Sequence, residues 1–138
     1  MTQQHEANLV KPHILIVGGD PILRQRLRHA FQPLGITYES VTKAEDALKR
    51  LDGGEPPVTG VLTDALRGEY PQVLEAAREI GARAVLMTNS SLTLRQAQEE
   101  DIPVYLKSQF AGRAGRSNTM VDKLIMDLAP VSEISPDL

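Results

Sequence analysis

The 138 residues include no cysteine and no tryptophan. Without cysteine there is no disulfide, no thiolate metal site and no thiol nucleophile, which fits a reducing cytoplasm. Aromatic residues make up only 4 % of the chain, so the stacking platforms used to bind single-stranded nucleic acid are not available. No apolar run approaches the length of a membrane span. The opening "MTQQHEANLVKP" has no apolar core of the kind a signal peptide carries. Charge of one sign is not in large excess: 15 basic against 18 acidic residues leave a net charge of −3, so nothing global invites nucleic acid. The length suits one domain with a real core. These exclusions predict a cytoplasmic domain with neither a membrane nor a nucleic-acid partner.

What is present is a repeating strand-then-helix pattern. His13–Val17 is an apolar run of the kind covered on both faces of a sheet. Asp20 and Pro21 are suited to cap and open a helix through Leu23, Leu27, Ala30, Phe31 and Leu34, which Pro33 and Gly35 end. Ile36–Val41 alternates as a strand. Thr42 and Glu45 form a capping-box pattern ahead of Ala44, Ala47, Leu48 and Leu51. Val58–Thr63 reads as a third strand, with Asp64 at its end. Val73, Leu74, Ala77 and Ile80 mark a helix closed by Gly81. Ala84–Thr88 is a fourth strand, Leu92–Glu100 a weaker helix, and Val104–Leu106 a fifth strand. After the basic loop "AGRAGRSN", Thr119 caps a last helix through Val121, Leu124, Ile125 and Leu128. Residues 1–12 read as a lead-in, 13–129 as the domain and 130–138 as a tail.

Five alternations of strand and helix predict a doubly wound α/β fold. The expected form is flavodoxin-like, a five-stranded parallel sheet of order 2-1-3-4-5 with helices on both faces. Such folds place their site beyond the carboxyl ends of strands 1 and 3. The candidates are therefore Gly18, Gly19 and Asp20 after strand 1, Asp64 after strand 3, Thr88 after strand 4, and Lys107 or Ser108 after strand 5. A dinucleotide fingerprint beginning at Gly18 places Asp20 and Leu23 where it needs glycines, and no P-loop follows the strand. A tight turn with Asp20 as the cap is the simpler reading of the two glycines.

These residues resemble the CheY-like receiver domain of two-component response regulators, over about His13–Leu128. Where that family typically reads "ILIVDDDP", this chain reads "ILIVGGDP". "GVLTD" ends in Asp64 at the place of the phosphoacceptor, "VLMT" ends in Thr88 at the place of the switch hydroxyl, and "YLKSQF" stands where "YLTKPF" is common. The resemblance implies an aspartate that becomes an acyl phosphate. It also implies a Mg²⁺ ion held by an acidic pair, a lysine on the phosphoryl oxygens, and a switch formed by Thr88 and Tyr105.

The departures shape the expectation. Gly18 and Gly19 occupy the places of the two metal carboxylates, so no metal site and no cofactor are expected, with Mg²⁺ retained only if Asp20 and Asp64 still bind it. Acids returned at positions 18 and 19 are expected to restore a metal site if the rest of the pocket is intact. A gapless match puts Ser108 at the lysine position; a shift by one puts Lys107 there. Adjacent strand residues face opposite sides, so one of the two aims at Asp64. The loop "ALRGEYP" is short and lacks the family's Met-Pro and Asp-Gly elements.

Each candidate has a plainer alternative. Asp64 reads as a phosphoacceptor or a turn residue, Thr88 as a switch or a strand-end cap, and Tyr105 as a switch or a half-buried strand residue. Arg24, Arg26, Arg28 and His29 read as an acidic-partner surface or a solvated face, and Arg113 and Arg116 as phosphate contacts or a solvent loop. His5, His13 and His29 have no metal-ligand spacing.

The resemblance therefore implies a stand-alone, non-enzymatic receiver-like signalling protein whose metal-binding acidic pair is lost. Its expected partner is a histidine kinase, a phosphotransfer protein or a downstream target. One alternative is a working phosphoacceptor at Asp64. The other is a small-ligand binder at the Gly18–Gly19 turn.

Overall fold

The computed structural model describes residues 11–18, 21–110 and 122–129. Gly19, Asp20, Arg113, Arg116, Thr119, most of the expected lead-in and the expected tail lie outside the described residues. In chain order the first elements are β1 (His13–Val17), α1 (Pro21–Phe31), β2 (Thr37–Val41), α2 (Ala44–Leu51) and β3 (Gly60–Asp64). They are followed by α3 (Tyr70–Glu79), β4 (Arg83–Thr88), α4 (Ser91–Glu99), β5 (Val104–Leu106) and α5 (residues 122–128). The strands form one sheet of order β2-β1-β3-β4-β5, and every pairing is parallel. This is the flavodoxin-like architecture that the alternating pattern predicts. Among the described residues no helix is long and apolar enough to cross a membrane.

The period-two geometry of a strand explains why β1 is apolar throughout. All five of its residues are buried. Ile14 and Ile16 pack with Leu23, Leu27 and Phe31 of α1 and with Leu124, Ile125 and Leu128 of α5. Leu15 and Val17 face the other way, against Ala44, Ala47 and Leu51 of α2 and Val73 and Ala77 of α3. Leu86 of β4 continues that second face with Leu74 of α3 and Ala97 of α4. At about 1.5–3 kcal/mol for each fully buried large side chain, these layers supply the main force that holds the sheet ends in place.

Three local expectations are corrected. Leu34 is not on the core face of α1: the helix stops at Phe31, a 3₁₀ turn covers Gln32–Leu34, and Leu34 is exposed. Thr42 and Glu45 form no capping box, because α2 starts one residue late for it. Lys43 is the cap residue, without a side-chain cap bond, and this start buries Ala44. Ile80 lies beyond α3 and is exposed, since the helix ends at Glu79.

At the opposite end of the sheet from the candidate site, a polar network ties β1 to β2 and α2. The imidazole of buried His13 lies 2.6 Å from both Thr37 Oγ1 and Glu39 Oε2. Arg50 Nε donates to Glu39 Oε2 at 2.8 Å, and Arg50 also donates to the Pro56 carbonyl. Burial pushes the Glu39 carboxyl upward, but hydrogen bonds and charge from Arg50 and His13 outweigh it and hold the group below its usual range.

Two predictions follow from this packing. A Cβ at Gly60 would meet the Leu128 carbonyl oxygen at 2.7 Å and Ile14 Cδ1 at 2.8 Å, whereas one at Gly53 would meet nothing within 4 Å. Gly60→Ala is expected to lower unfolding free energy by about 1–3 kcal/mol and Gly53→Ala to leave it nearly unchanged, as read by urea denaturation. The second concerns pH. A depressed carboxyl stabilises fully above its unfolded value of 4.5 and loses that contribution as pH falls through the folded value. The stability gap between the wild type and Glu39→Gln is expected to be greatest near neutral pH and to close below that window. Partial exposure keeps the gap under about 1 kcal/mol.

Candidate functional site

Parallel register brings four strand ends to one edge. Val17 pairs with Thr63, so Gly18 falls beside Asp64. Asp64 pairs with Met87, and Thr88, the next residue, pairs with Leu106. Lys107 follows directly, in a 3₁₀ turn over Lys107–Phe110. The sheet alone therefore gathers Gly18, Asp64, Thr88 and Lys107.

Asp64 is the centre of this group. Its Oδ1 accepts the Leu66 N–H at 3.0 Å, and its Oδ2 lies 3.4 Å from Lys107 Nζ. Gly18 packs directly against the same carboxylate. Its φ is +139°, and a Cβ there would sit 2.5 Å from Asp64 Oδ2 and 2.8 Å from Cγ. In this arrangement the Asp64 carboxylate takes the space that a side chain at position 18 would occupy. The small, partly open void bounded by Gly18, Leu23, Met87 and Lys107 is about 10 Å³, room for about one water.

The register after β5 follows from where that strand stops. Lys107 aims at Asp64, while Ser108 is exposed and its backbone N–H donates to Asn89 Oδ1 at 3.0 Å. Thr88 is almost fully buried, and its Oγ1 accepts the Ser90 N–H at 3.0 Å. The Tyr105 hydroxyl donates to Asp127 Oδ2 of α5 at 2.6 Å. Burial first, then the bond and charge of Asp127, push the Tyr105 phenol above its ordinary value, so it stays neutral and keeps donating.

Among the described residues, which leave out Gly19 and Asp20, the side chains at this edge do not make up a magnesium site. That ion takes near-octahedral oxygen ligands. Here the described residues offer one carboxylate, with one oxygen on an N–H and the other beside an ammonium. Among the described residues no group of three or more His, Asp or Glu side chains is arranged to hold a metal. An acid at position 18 would have to displace the Asp64 carboxylate from the place it takes here, and position 19 lies outside the described residues.

An open cleft of about 410 Å³ lies over Asp64, lined also by Arg67, Thr88, Asn89, Ser90 and Lys107. The sequence did not single out Arg67 or Asn89. Arg67 sits in a turn in which Leu66 (φ 51°), Arg67 (φ 55°) and Gly68 (φ 94°) are all left-handed. That conformation costs about 1–2 kcal/mol for each non-glycine residue. The Leu66 side chain packs against the core beside α2 and α3. Its N–H is held by Asp64, and the Gly68 N–H donates to the Ala65 carbonyl at 2.9 Å. These contacts offset the strain. No residue type in "ALRGEYP" before Gly68 signals a left-handed turn, which is why Arg67 stayed hidden.

Gly18→Ala is expected to lower the urea midpoint of unfolding, by roughly 2–4 kcal/mol in free energy, because strained φ and the clash with Asp64 add. Asp64→Ala in the same chain leaves only its Cβ, 3.4 Å away, and should return the clash part of that loss. Strict additivity of the two substitutions would refute the contact.

No protein-family model matches this sequence, and no curated protein matches it. Solved structures do match. A response regulator receiver protein from Sinorhizobium medicae is 20 % identical with a TM-score of 0.63, over 88 % of this chain and 94 % of its own. A response regulator protein from Burkholderia pseudomallei, solved with a phosphorylated aspartic acid, a calcium ion and citrate, is 17 % identical with a TM-score of 0.59, over 92 % of this chain and 72 % of its own. A de novo designed Rossmann 2x3 fold protein, 7 % identical, reaches a TM-score of 0.61 over 82 % of this chain and 88 % of its own. Since a designed chain matches as well as natural ones, the likeness is one of architecture. The chain has the fold of response regulator receiver domains.

Proposed function

We propose that this chain is a receiver-like signalling module of the two-component type that works as a pseudo-receiver, through contact with a protein partner and without catalysis of its own. The observation that carries the reading is the state of Asp64. Its carboxylate is packed on Gly18 and shared between the Leu66 N–H and Lys107. A phosphoryl dianion approaching an aspartate needs its charge neutralised, and the acidic pair that would hold a divalent ion for this is replaced at Gly18 and Gly19. The fold shared with receiver proteins, one of them solved with a phosphorylated aspartic acid and a calcium ion, supports a signalling role while the site departs from metal-assisted transfer.

The partner is a histidine kinase, a phosphotransfer protein or a downstream target. Its docking surface is the face built by α4, β5 and α5. Leu92 of α4 and Met126 of α5 are exposed, and Tyr105 of β5 is tied across to Asp127 of α5. A cytoplasmic setting fits this role and the absence of cysteine. Lys107 beside Asp64 favours the second reading, a working phosphoacceptor at Asp64. One experiment separates the two. After incubation with a small acyl phosphate and Mg²⁺, the intact mass is expected to stay unchanged. A gain of one phosphoryl group, absent in Asp64→Ala, would establish the working phosphoacceptor instead.

A further inference from the structure

At the far end of the sheet from the cleft, a hydroxyl, an imidazole and a carboxylate stand in line. His13 Nδ1 lies 2.6 Å from Thr37 Oγ1, and His13 Nε2 lies 2.6 Å from Glu39 Oε2. Arg50 grips the same carboxylate oxygen through Nε and Nη2, each at 2.8 Å. Burial pushes the Glu39 carboxyl upward, but Arg50 and His13 hold it below its usual range, so near neutral pH it is ionised and only accepts. Nε2 therefore carries a proton. In the neutral ring Nδ1 is then bare, and the Thr37 hydroxyl donates to it. The rival acceptor for that proton, the Pro12 carbonyl, is 3.5 Å away, too far to compete with a contact of 2.6 Å.

The backbone holds this line in place. The His13 N–H donates to Thr59 Oγ1 at 2.9 Å, and the His13 carbonyl accepts the Thr59 N–H at 2.9 Å. His13 is only 7 % exposed, so packing fixes its ring, whereas Thr37 is exposed on the outermost strand. The Thr37 N–H donates inward to the Pro12 carbonyl at 3.4 Å. Successive N–H groups of a strand point to opposite sides, so that of Tyr38 turns to the uncovered edge, a donor for an incoming carbonyl oxygen. A hydroxyl bonded to a base that a third group orients is the arrangement of an activated nucleophile. The charges of Glu39 and Arg50 offset each other, which favours an uncharged acyl donor over an anionic one.

We propose that Thr37 is a covalent modification site that takes an acyl group from a thioester. The Thr37 oxygen bonds to the carbonyl carbon and its proton passes to His13 Nδ1. The C–S bond breaks with its electron pair on sulfur, and the imidazolium returns the proton to the departing thiolate. Glu39 is a positioning residue: it fixes the tautomer of the ring and stabilises the charge that the ring gains. The reaction is stoichiometric, one ester per chain, and uses neither Asp64 nor a partner, so it stands or falls apart from the signalling reading. The ester removes the hydroxyl proton and with it the bond from Thr37 to His13.

The test incubates the full chain with phenyl thioacetate and maps acetyl groups by tandem mass spectrometry, before and after alkaline hydroxylamine, which cleaves esters and spares the amides formed on lysine. Ser40 supplies an internal comparison, since it is an exposed hydroxyl in the same strand on the face opposite to Thr37. Thr37 is expected to gain a hydroxylamine-labile acetyl group about a hundredfold faster than Ser40, the low end of what a positioned base supplies. Thr37→Val should abolish this labelling and Thr37→Ser should keep it, a rescue that separates an attacking oxygen from a merely structural side chain. Glu39→Gln should slow it about tenfold while the urea midpoint shows a folded chain, because an amide no longer enforces the tautomer. Equal labelling of Thr37 and Ser40 in the wild type overturns the proposal, and that comparison needs no variant. So does an undiminished rate in Glu39→Gln, or acetyl groups confined to lysine.

Discussion

The contact between Gly18 and the Asp64 carboxylate constrains everything else at this edge of the sheet. Register fixes the two residues side by side, and the carboxylate turns toward the bare backbone because nothing else occupies that space. From this position one oxygen takes the Leu66 N–H and the other comes near Lys107. The Leu66 bond in turn helps hold a left-handed turn that a leucine and an arginine would not adopt unaided. A single missing side chain at position 18 is thus linked, through one carboxylate, to the conformation of the loop after β3.

That linkage depends on a rigid frame. β1 is buried on both faces, so its end cannot drift without exposing Ile16 or Val17. The last helix lies so close to β3 that only glycine fits at position 60. Strand ends held this firmly keep Gly18, Asp64, Thr88 and Lys107 within hydrogen-bonding or van der Waals reach of their neighbours, at a cost the core offsets many times over. The polar cluster of His13, Glu39 and Arg50 does similar work at the far end of β1 and β2, where the edge strand has little apolar burial of its own.

Much of the fold was legible because its signals are local. Continuous apolar runs gave the buried strands, and Val104–Leu106 was read to the residue. The helices showed their spacing through pairs such as Leu23 and Leu27 or Val73 and Ala77. The errors also have local causes. Leu34 continues the helical spacing of α1 past Pro33, yet the chain tightens into a 3₁₀ turn after Phe31. Thr42 and Glu45 match a capping box, but burying Ala44 sets the start of α2 one residue later. The site was harder to read. Whether Lys107 or Ser108 faces Asp64 depends on where a three-residue strand ends. The left-handed turn at Leu66 and Arg67 is imposed by packing and by a bond to Asp64, and no residue type announces it. Tyr105 and Asp127 lie 22 positions apart, and only the docking of α5 on the sheet brings them together.

Replacing acids by glycine reverses the electrostatic logic of such a pocket. A pocket dominated by carboxylates attracts a cation first, and the cation then attracts an anion. Here one carboxylate stands beside the Lys107 ammonium, 3.4 Å away. For the proposed signalling role the consequence lies in two hydrogen bonds. Thr88 is held by the Ser90 N–H and Tyr105 by Asp127, so any rearrangement of the α4–β5–α5 face must first break one of these bonds. Each contributes about 0.5–1.5 kcal/mol when both partners are neutral, and more when one is a carboxylate. A ligand shifts such an equilibrium only by its difference in affinity for the two arrangements. An occupant of the cleft that draws Thr88 away from Ser90 supplies that difference at one end. A partner that competes for Asp127 supplies it at the other. The two ends are joined through β4 and β5, where Thr88 pairs with Leu106, the neighbour of Tyr105.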